Sequence, residues 1–182
     1  MIIENEFMKR ITNRFLYANE LLKYMSSNHL EELVKEFYEY NGYFVRTNIK
    51  VDKRKEGGYN GELDILAYHP NLKELLHIEC SMDAKSWEER KLIAEKKFQM
   101  SLEDYRRLIP FEFNEPKKMF IIGLNKKQGQ IDMPKGVEIK NLNIFIKEVY
   151  DTVKSNITSE IVPESYPLLR TIQFVKWSRP EI

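Results

Sequence analysis

The sequence predicts an α/β protein in which a mixed β-sheet is flanked by helices. Three observations carry that expectation. Residues 61–68 and 75–81 are apolar, strand-like runs joined by a short turn, which predicts an antiparallel hairpin. Residues 118–124 form a short, almost wholly apolar run, as suits a central strand covered on both faces. Between these strands lies a long helical stretch, and a helical crossover lets the next strand join in parallel.

Taken in order, residues 6–25 place Phe7, Ile11, Phe15, Leu16, Leu21, Leu22 and Met25 at helical spacing, predicting an amphipathic helix broken near Ala18 and Asn19. Ser26, Ser27 and Asn28 supply capping side chains. From His29 a second helix aligns Leu30, Leu33, Val34, Phe37 and Tyr38, and it ends at Asn41 and Gly42, where glycine tolerates the left-handed closing turn. Residues 43–51 are aromatic and β-branched, hence a strand. Residues 52–61, charged and glycine-rich, read as a mobile loop. The hairpin strands 61–68 and 75–81 reverse through residues 69–73, aided by Pro70 and Asn71. Ser86 and Glu89 have capping-box spacing, so one long helix is expected to about Leu108, stopped by Pro110. After the strand at 118–124, residues 136–140 form a weaker strand. Residues 143–155 form a helix with Ile144, Phe145, Val149 and Val153 inward. The proline-flanked stretch 168–177 is one more short helix or strand.

The expected organisation is one domain over residues 1–182: an N-terminal helical extension (1–27), a core (29–157) and a C-terminal tail packing on it (158–182). A chain of 182 residues with 42% hydrophobic and 12% aromatic residues can bury a sizeable core. Its 29 basic residues nearly cancel its 28 acidic ones, so no net field points to nucleic acid or membrane, although a local basic face would suffice for DNA. The single cysteine, Cys80, excludes an intramolecular disulfide, and no Cys/His spacing suits zinc. The N-terminus lacks a basic head followed by an apolar run, and nothing approaches the roughly 18 apolar residues of a spanning helix. A cytoplasmic protein without a membrane partner is expected.

Chemistry concentrates in the hairpin. In the first strand Glu62 and Asp64 point to one face while Leu63 and Ile65 point to the other; in the second, Glu79 and Ser81 share a face opposite Ile78 and Cys80. In register, Asp64 and Glu79 meet across the ladder. Two carboxylates that close repel unless a proton or cation lies between them. Mg²⁺ is held by such pairs, and it can polarise a scissile phosphate and generate a hydroxide nucleophile. The plainer alternative is two solvent-facing acids on the wet side of a sheet.

Asp64, a hairpin, then Glu79, Cys80 and Ser81 resemble the PD-(D/E)XK nuclease superfamily, over a span from about His29 to Ser155. The helix from His29 running into Asn41, Gly42 and Tyr43 is similar to that group's first helix and strand. The resemblance implies a restriction-endonuclease-like core with an extra N-terminal helix. It implies a metal-dependent DNA endonuclease of restriction or repair type, using Mg²⁺ or Mn²⁺. Asp64 and Glu79 would be metal ligands, Cys80 a ligand through its carbonyl, Glu31 the additional helix acid and Glu62 an accessory acid. Where the pattern has lysine, two residues after Glu79, this chain has Ser81. Either another lysine fills that space, with Lys85 the first choice and Lys96 or Lys97 reaching back from the helix, or the domain is a catalytically inactive module that binds nucleic acid or a protein partner. Gln99 and Tyr105 are six apart and do not match the Gln-x-x-x-Tyr signature of some relatives. A small-molecule or RNA hydrolase on the same scaffold is a third reading.

Other residues have plain readings beside functional ones. Glu31 suits the first turn of a helix through the dipole as well as it suits an active site. His69 and His77 read as turn and strand residues, Cys80 as a small core residue, and Asp83 as a turn residue or a neighbour of the metal. Lys50, Lys53, Arg54 and Lys55 suit phosphate contact as a group and a solvated loop when taken singly. Arg106, Arg107, Lys117 and Lys118 read as charged element ends. Phe7, Phe15, Tyr17 and Tyr24 suit core or dimer contacts, leaving a homodimer open.

Overall fold

The computed structural model describes residues 28–123, 133–154 and 159–178. The helix expected over 6–25 lies outside them. Helix α1 (His29–Tyr40) starts where the Asn28 side chain accepts from the backbone N–H of Leu30, and it is closed by Asn41 and by Gly42 at φ +88°. Strands β1 (Phe44–Lys53), β2 (Tyr59–His69) and β3 (Glu74–Ser81) form an antiparallel meander. Then come α2 (Trp87–Lys97), α3 (Leu102–Leu108), β4 (Lys117–Ile122), β5 (Val137–Asn141), α4 (Leu142–Thr152) and α5 (Pro167–Ser178). The sheet order is β1-β2-β3-β4-β5, and β4 joins β3, and β5 joins β4, in parallel. The described chain is thus a mixed α/β fold with a five-stranded mixed sheet and five helices. No helix among the described residues is long and apolar enough to cross a membrane.

Several expectations change. Half of the charged stretch 52–61 is strand, because β1 and β2 pair as far as Lys53 and Tyr59 and leave a turn at 54–58 between them. The single helix expected from Ser86 to Leu108 is two. Ser86 and Glu89 do form the capping box of α2, but Ser101 and Asp104 form a second one that starts α3. Ile144 is exposed rather than inward, since Phe145 and Val149 alone of that helix are buried against the core. The 168–177 stretch is helix. Its first turn is held by Glu36, a buried carboxylate of α1 that accepts from the backbone N–H groups of Leu168 and Leu169.

The two faces of the sheet pack differently. Val34, Phe37, Ile65, Ala67, Ile78, Ile121, Phe145, Val149 and Leu169 belong to one continuous core joining the sheet to α1, α4 and α5. On the other face α2 and α3 cover two smaller clusters. One gathers Ile49, Leu63, Leu66, Tyr68, Leu75 and Tyr105, and the other Ala94, Phe98, Phe120 and Ile122.

Leu63 and Ile65 therefore lie in clusters on opposite faces, not on one face as strict alternation predicts. The cause is local. Thr47 pairs with Ile65 and Ile49 with Leu63, while Asn48 between them has φ +53°, a left-handed conformation that asparagine tolerates. Alternation slips there, opposite Asp64.

Candidate functional site

The slip turns Asp64 toward β3. Its Oδ2 accepts from the backbone N–H of Cys80 at 2.9 Å, and its own N–H lies 3.3 Å from Glu79 Oε1. The last residue pair of the β2/β3 ladder on this side is Ile65 with Ile78, so these side-chain bonds continue the strand pairing where backbone bonds stop. The expected meeting of Asp64 and Glu79 thus occurs, with the Cys80 backbone beside Asp64. The Cys80 side chain packs against the α1 core as expected, and burial pushes its thiol pKa up.

Lys97 stands between the carboxylates. Its Nζ lies 2.5 Å from Glu79 Oε2 and 3.0 Å from Asp64 Oδ1, and it also donates to the Glu62 carbonyl at 2.8 Å. Lys85, the first choice from sequence, instead pairs with Asp83 at 2.6 Å in the exposed loop after β3. Helical phase decides which lysine serves. Arg90, Ala94 and Lys97 follow one another at four and three residues and share a stripe whose first two members are buried, whereas Lys96 is rotated out to solvent. Arg90 also anchors the loop, donating to the carbonyls of Asp83 and Lys85.

Behind Glu79 lies a buried polar chain. His77 Nε2 is 2.9 Å from Glu79 Oε1, and His77 Nδ1 is 2.7 Å from the Tyr105 hydroxyl. His77, Glu79 and Tyr105 are each at most 2% exposed. Burial holds the His77 pKa below its ordinary value, so the ring is neutral and has one N–H. With Glu79 ionised, Nε2–H donates to Glu79 and Nδ1 accepts from Tyr105. His77 is a strand residue, as read from sequence, and it has an orienting contact that sequence did not reveal. Its position two residues before Glu79, on the same strand face, is the signal.

The two carboxylates differ in how readily they give up a proton. Burial, reinforced by the neighbouring charge of Glu79, raises the Asp64 pKa to about 6. Burial also acts to raise that of Glu79, but hydrogen bonding to His77 and the Lys97 charge outweigh it and bring the pKa below its usual value. For Lys97, burial favours the neutral form, yet the pull of Glu79 and Asp64 prevails and raises its pKa.

Glu31, in the first turn of α1, accepts from Asn28 at 2.6 Å; burial raises its pKa, and Glu79 and Lys97 are near enough to act on it electrostatically. Ser81 Oγ accepts from the Asp83 N–H at 3.3 Å, a loop contact. Lys50 pairs with Glu62, which ties up that accessory acid, and Arg54 donates to Asn60 and to the Tyr59 carbonyl within the hairpin turn. Among the described residues Lys53 and Lys55 have no ion-pair partner. No group of three or more His, Cys, Asp or Glu side chains is gathered as for a metal ion among the described residues.

Fold and site together define an α/β protein with two strand carboxylates bridged by a helix lysine. Neither protein-family models nor curated proteins give a match to the sequence. Among solved structures, the crystal structure of a protein of unknown function is similar at 13% identity and a TM-score of 0.42, covering 79% of this chain and 77% of that one.

Proposed function

We propose that the protein is a metal-dependent endonuclease that hydrolyses DNA phosphodiester bonds on a restriction-endonuclease-like core. The observation that supports this reading most is the Lys97 ammonium bridging Asp64 and Glu79. It supplies from α2 the cation that the PD-(D/E)XK pattern places two residues after the second acid and that Ser81 cannot provide. The residues also fit a hard divalent ion: two carboxylates already converge on one point that holds a positive charge, with the Cys80 backbone beside Asp64. Asp64, Glu79 and the Cys80 carbonyl would hold Mg²⁺ or Mn²⁺. Once bound, the ion supplies Lewis acidity and a water of lowered pKa. Lys97 offsets negative charge developing on the phosphate. The His77–Tyr105 chain fixes the orientation of the Glu79 carboxylate, and the low exposure of Glu79 strengthens each of these interactions.

Nicking of supercoiled plasmid in Mg²⁺ or Mn²⁺ tests the reading. Wild-type protein nicks, and Asp64→Asn, Glu79→Gln or Lys97→Met each lower the rate by about a hundredfold or more. Undiminished nicking by both carboxylate variants would sink it. The alternative, a catalytically inactive module that binds nucleic acid or a protein partner, is favoured by the lack of a third acidic or imidazole ligand among the described residues. It yields binding without cleavage in either metal, and Ser81→Lys then asks whether a lysine at the family position restores activity.

A further inference from the structure

A cleft of about 940 Å³ opens between the β1–β2 hairpin and the α2–α3 layer, and Lys97 lines it. Its composition is graded. Val51, Ile93, Met100 and Leu108 are half-buried and form an apolar floor, while Lys53 and Lys96 are exposed and form a basic rim, with Arg107 beside them paired to Glu103 and Asp104. Lys53 and Lys96 have no ion-pair partner among the described residues. Tyr59, at the mouth, is 45% exposed. The volume is near the upper end of the roughly 300–1,000 Å³ typical of pockets that enclose whole ligands.

A duplex keeps its base faces stacked inside and presents phosphates, sugars and groove edges, so it has no flat apolar surface to lay on such a floor. An unpaired strand offers both a base face for the floor and a phosphate chain for the rim. We infer that the cleft seats single-stranded nucleic acid, with bases on the Met100–Leu108 floor and Tyr59, phosphates along Lys53 and Lys96, and one phosphate at Lys97. This rests on the nuclease reading and narrows its substrate from DNA in general to unpaired or locally opened strands. The cationic excess around the cleft matches a polyanion, which an uncharged small ligand would not use.

Fluorescence anisotropy with a labelled oligothymidylate of about 12 nucleotides and with a duplex of equal length tests this. The measurement is made in EDTA on full-length Asp64→Asn protein, so that binding is read apart from cleavage. The single strand binds about tenfold or more tightly than the duplex, and Tyr59→Ala and Lys96→Glu, both at exposed positions, each weaken single-strand binding about fivefold or more. Equal or tighter duplex binding, no binding of either, or wild-type affinity in both variants overturns the inference. A protein that nicks plasmid but has no strand preference keeps the nuclease reading and loses this one. One that prefers single strands but cleaves nothing does the reverse.

Discussion

The two faces of the sheet divide the labour of the molecule. Toward α1, α4 and α5 the packing is continuous and almost wholly apolar, and its buried acid, Glu36, is consumed in holding the start of α5. Toward α2 and α3 the apolar clusters are smaller, and His77, Glu79 and Arg90 are buried alongside them. Burying polar groups costs free energy unless each is partnered, so the second face is the less economical way to stabilise a fold. The contrast teaches that the first face supplies stability, while the second gives some of it up to hold charges in a fixed arrangement.

The largest test of that contrast is on the apolar side. Phe145→Ala removes a fully buried ring and is expected to cost about 3–5 kcal/mol by denaturant unfolding, leaving the rate of the proposed plasmid nicking per folded molecule unchanged. A loss of rate in the folded fraction would merge the two faces into one functional unit. On the other side, Lys97→Met strips the cation from two carboxylates and is expected to cost about 3 kcal/mol at pH 8, with a smaller loss at pH 5 where Asp64 takes up a proton. An equal loss at both pH values would mean that packing of the lysine stem, not charge, is what Lys97 contributes.

Tyr105→Phe deletes one hydroxyl from the chain behind Glu79, and a cost of about 1–2 kcal/mol is expected together with a fall in kcat for the proposed nicking reaction that His77→Gln shares. Unchanged kcat in both variants would reduce the chain to a structural filler. The pH dependence is subtler. The folded Asp64 pKa of about 6 exceeds the 3.8 of an unperturbed aspartate, so the folded state binds this proton more tightly. The contribution of Asp64 to stability is therefore complete below about pH 4 and is lost as pH rises through about 6. Thermal midpoints measured across that window should show this decline in wild type and a flatter profile in Asp64→Asn; identical profiles would remove Asp64 as its source. The smallest effect belongs to the exposed pair Lys50 and Glu62, where Lys50→Ala should shift stability by less than about 1 kcal/mol.

Much of this arrangement was legible because it is local. The Asn28 cap, the Gly42 stop and the Ser86 capping box each depend on residues within a few positions of one another, and a short turn brings Asp64 and Glu79 together across a hairpin although they are 15 positions apart. Even the division of the 86–108 segment was readable in principle, since Ser101 and Asp104 repeat the spacing of Ser86 and Glu89, but continuous helical content masked it. The identity of the lysine was harder. Ser81 flagged that one was missing, but whether Lys85, Lys96 or Lys97 fills the place depends on which stripe of α2 packs on the sheet, and buried Ala94 in a charged helix was the only local hint. The slip at Asn48 was illegible for another reason. Asparagine is one of the residues that enter left-handed backbone, yet nothing in a strand sequence says that one will.

Glu36 links the chemistry to the order in which the chain is made. Its partners at Leu168 and Leu169 lie 132 and 133 positions downstream, whereas Lys97 lies only 33 from Asp64, and Cys80 only 16. During synthesis the residues that cluster the carboxylates and the lysine are all available while α5 is still untranslated, and until then Glu36 has no backbone donors to satisfy it. The closure of the apolar face is thus the long-range, entropically costly step, and the charged cluster the short-range one. A nascent chain arrested before Pro167 would then contain every residue of the site on a sheet whose other side is not yet sealed.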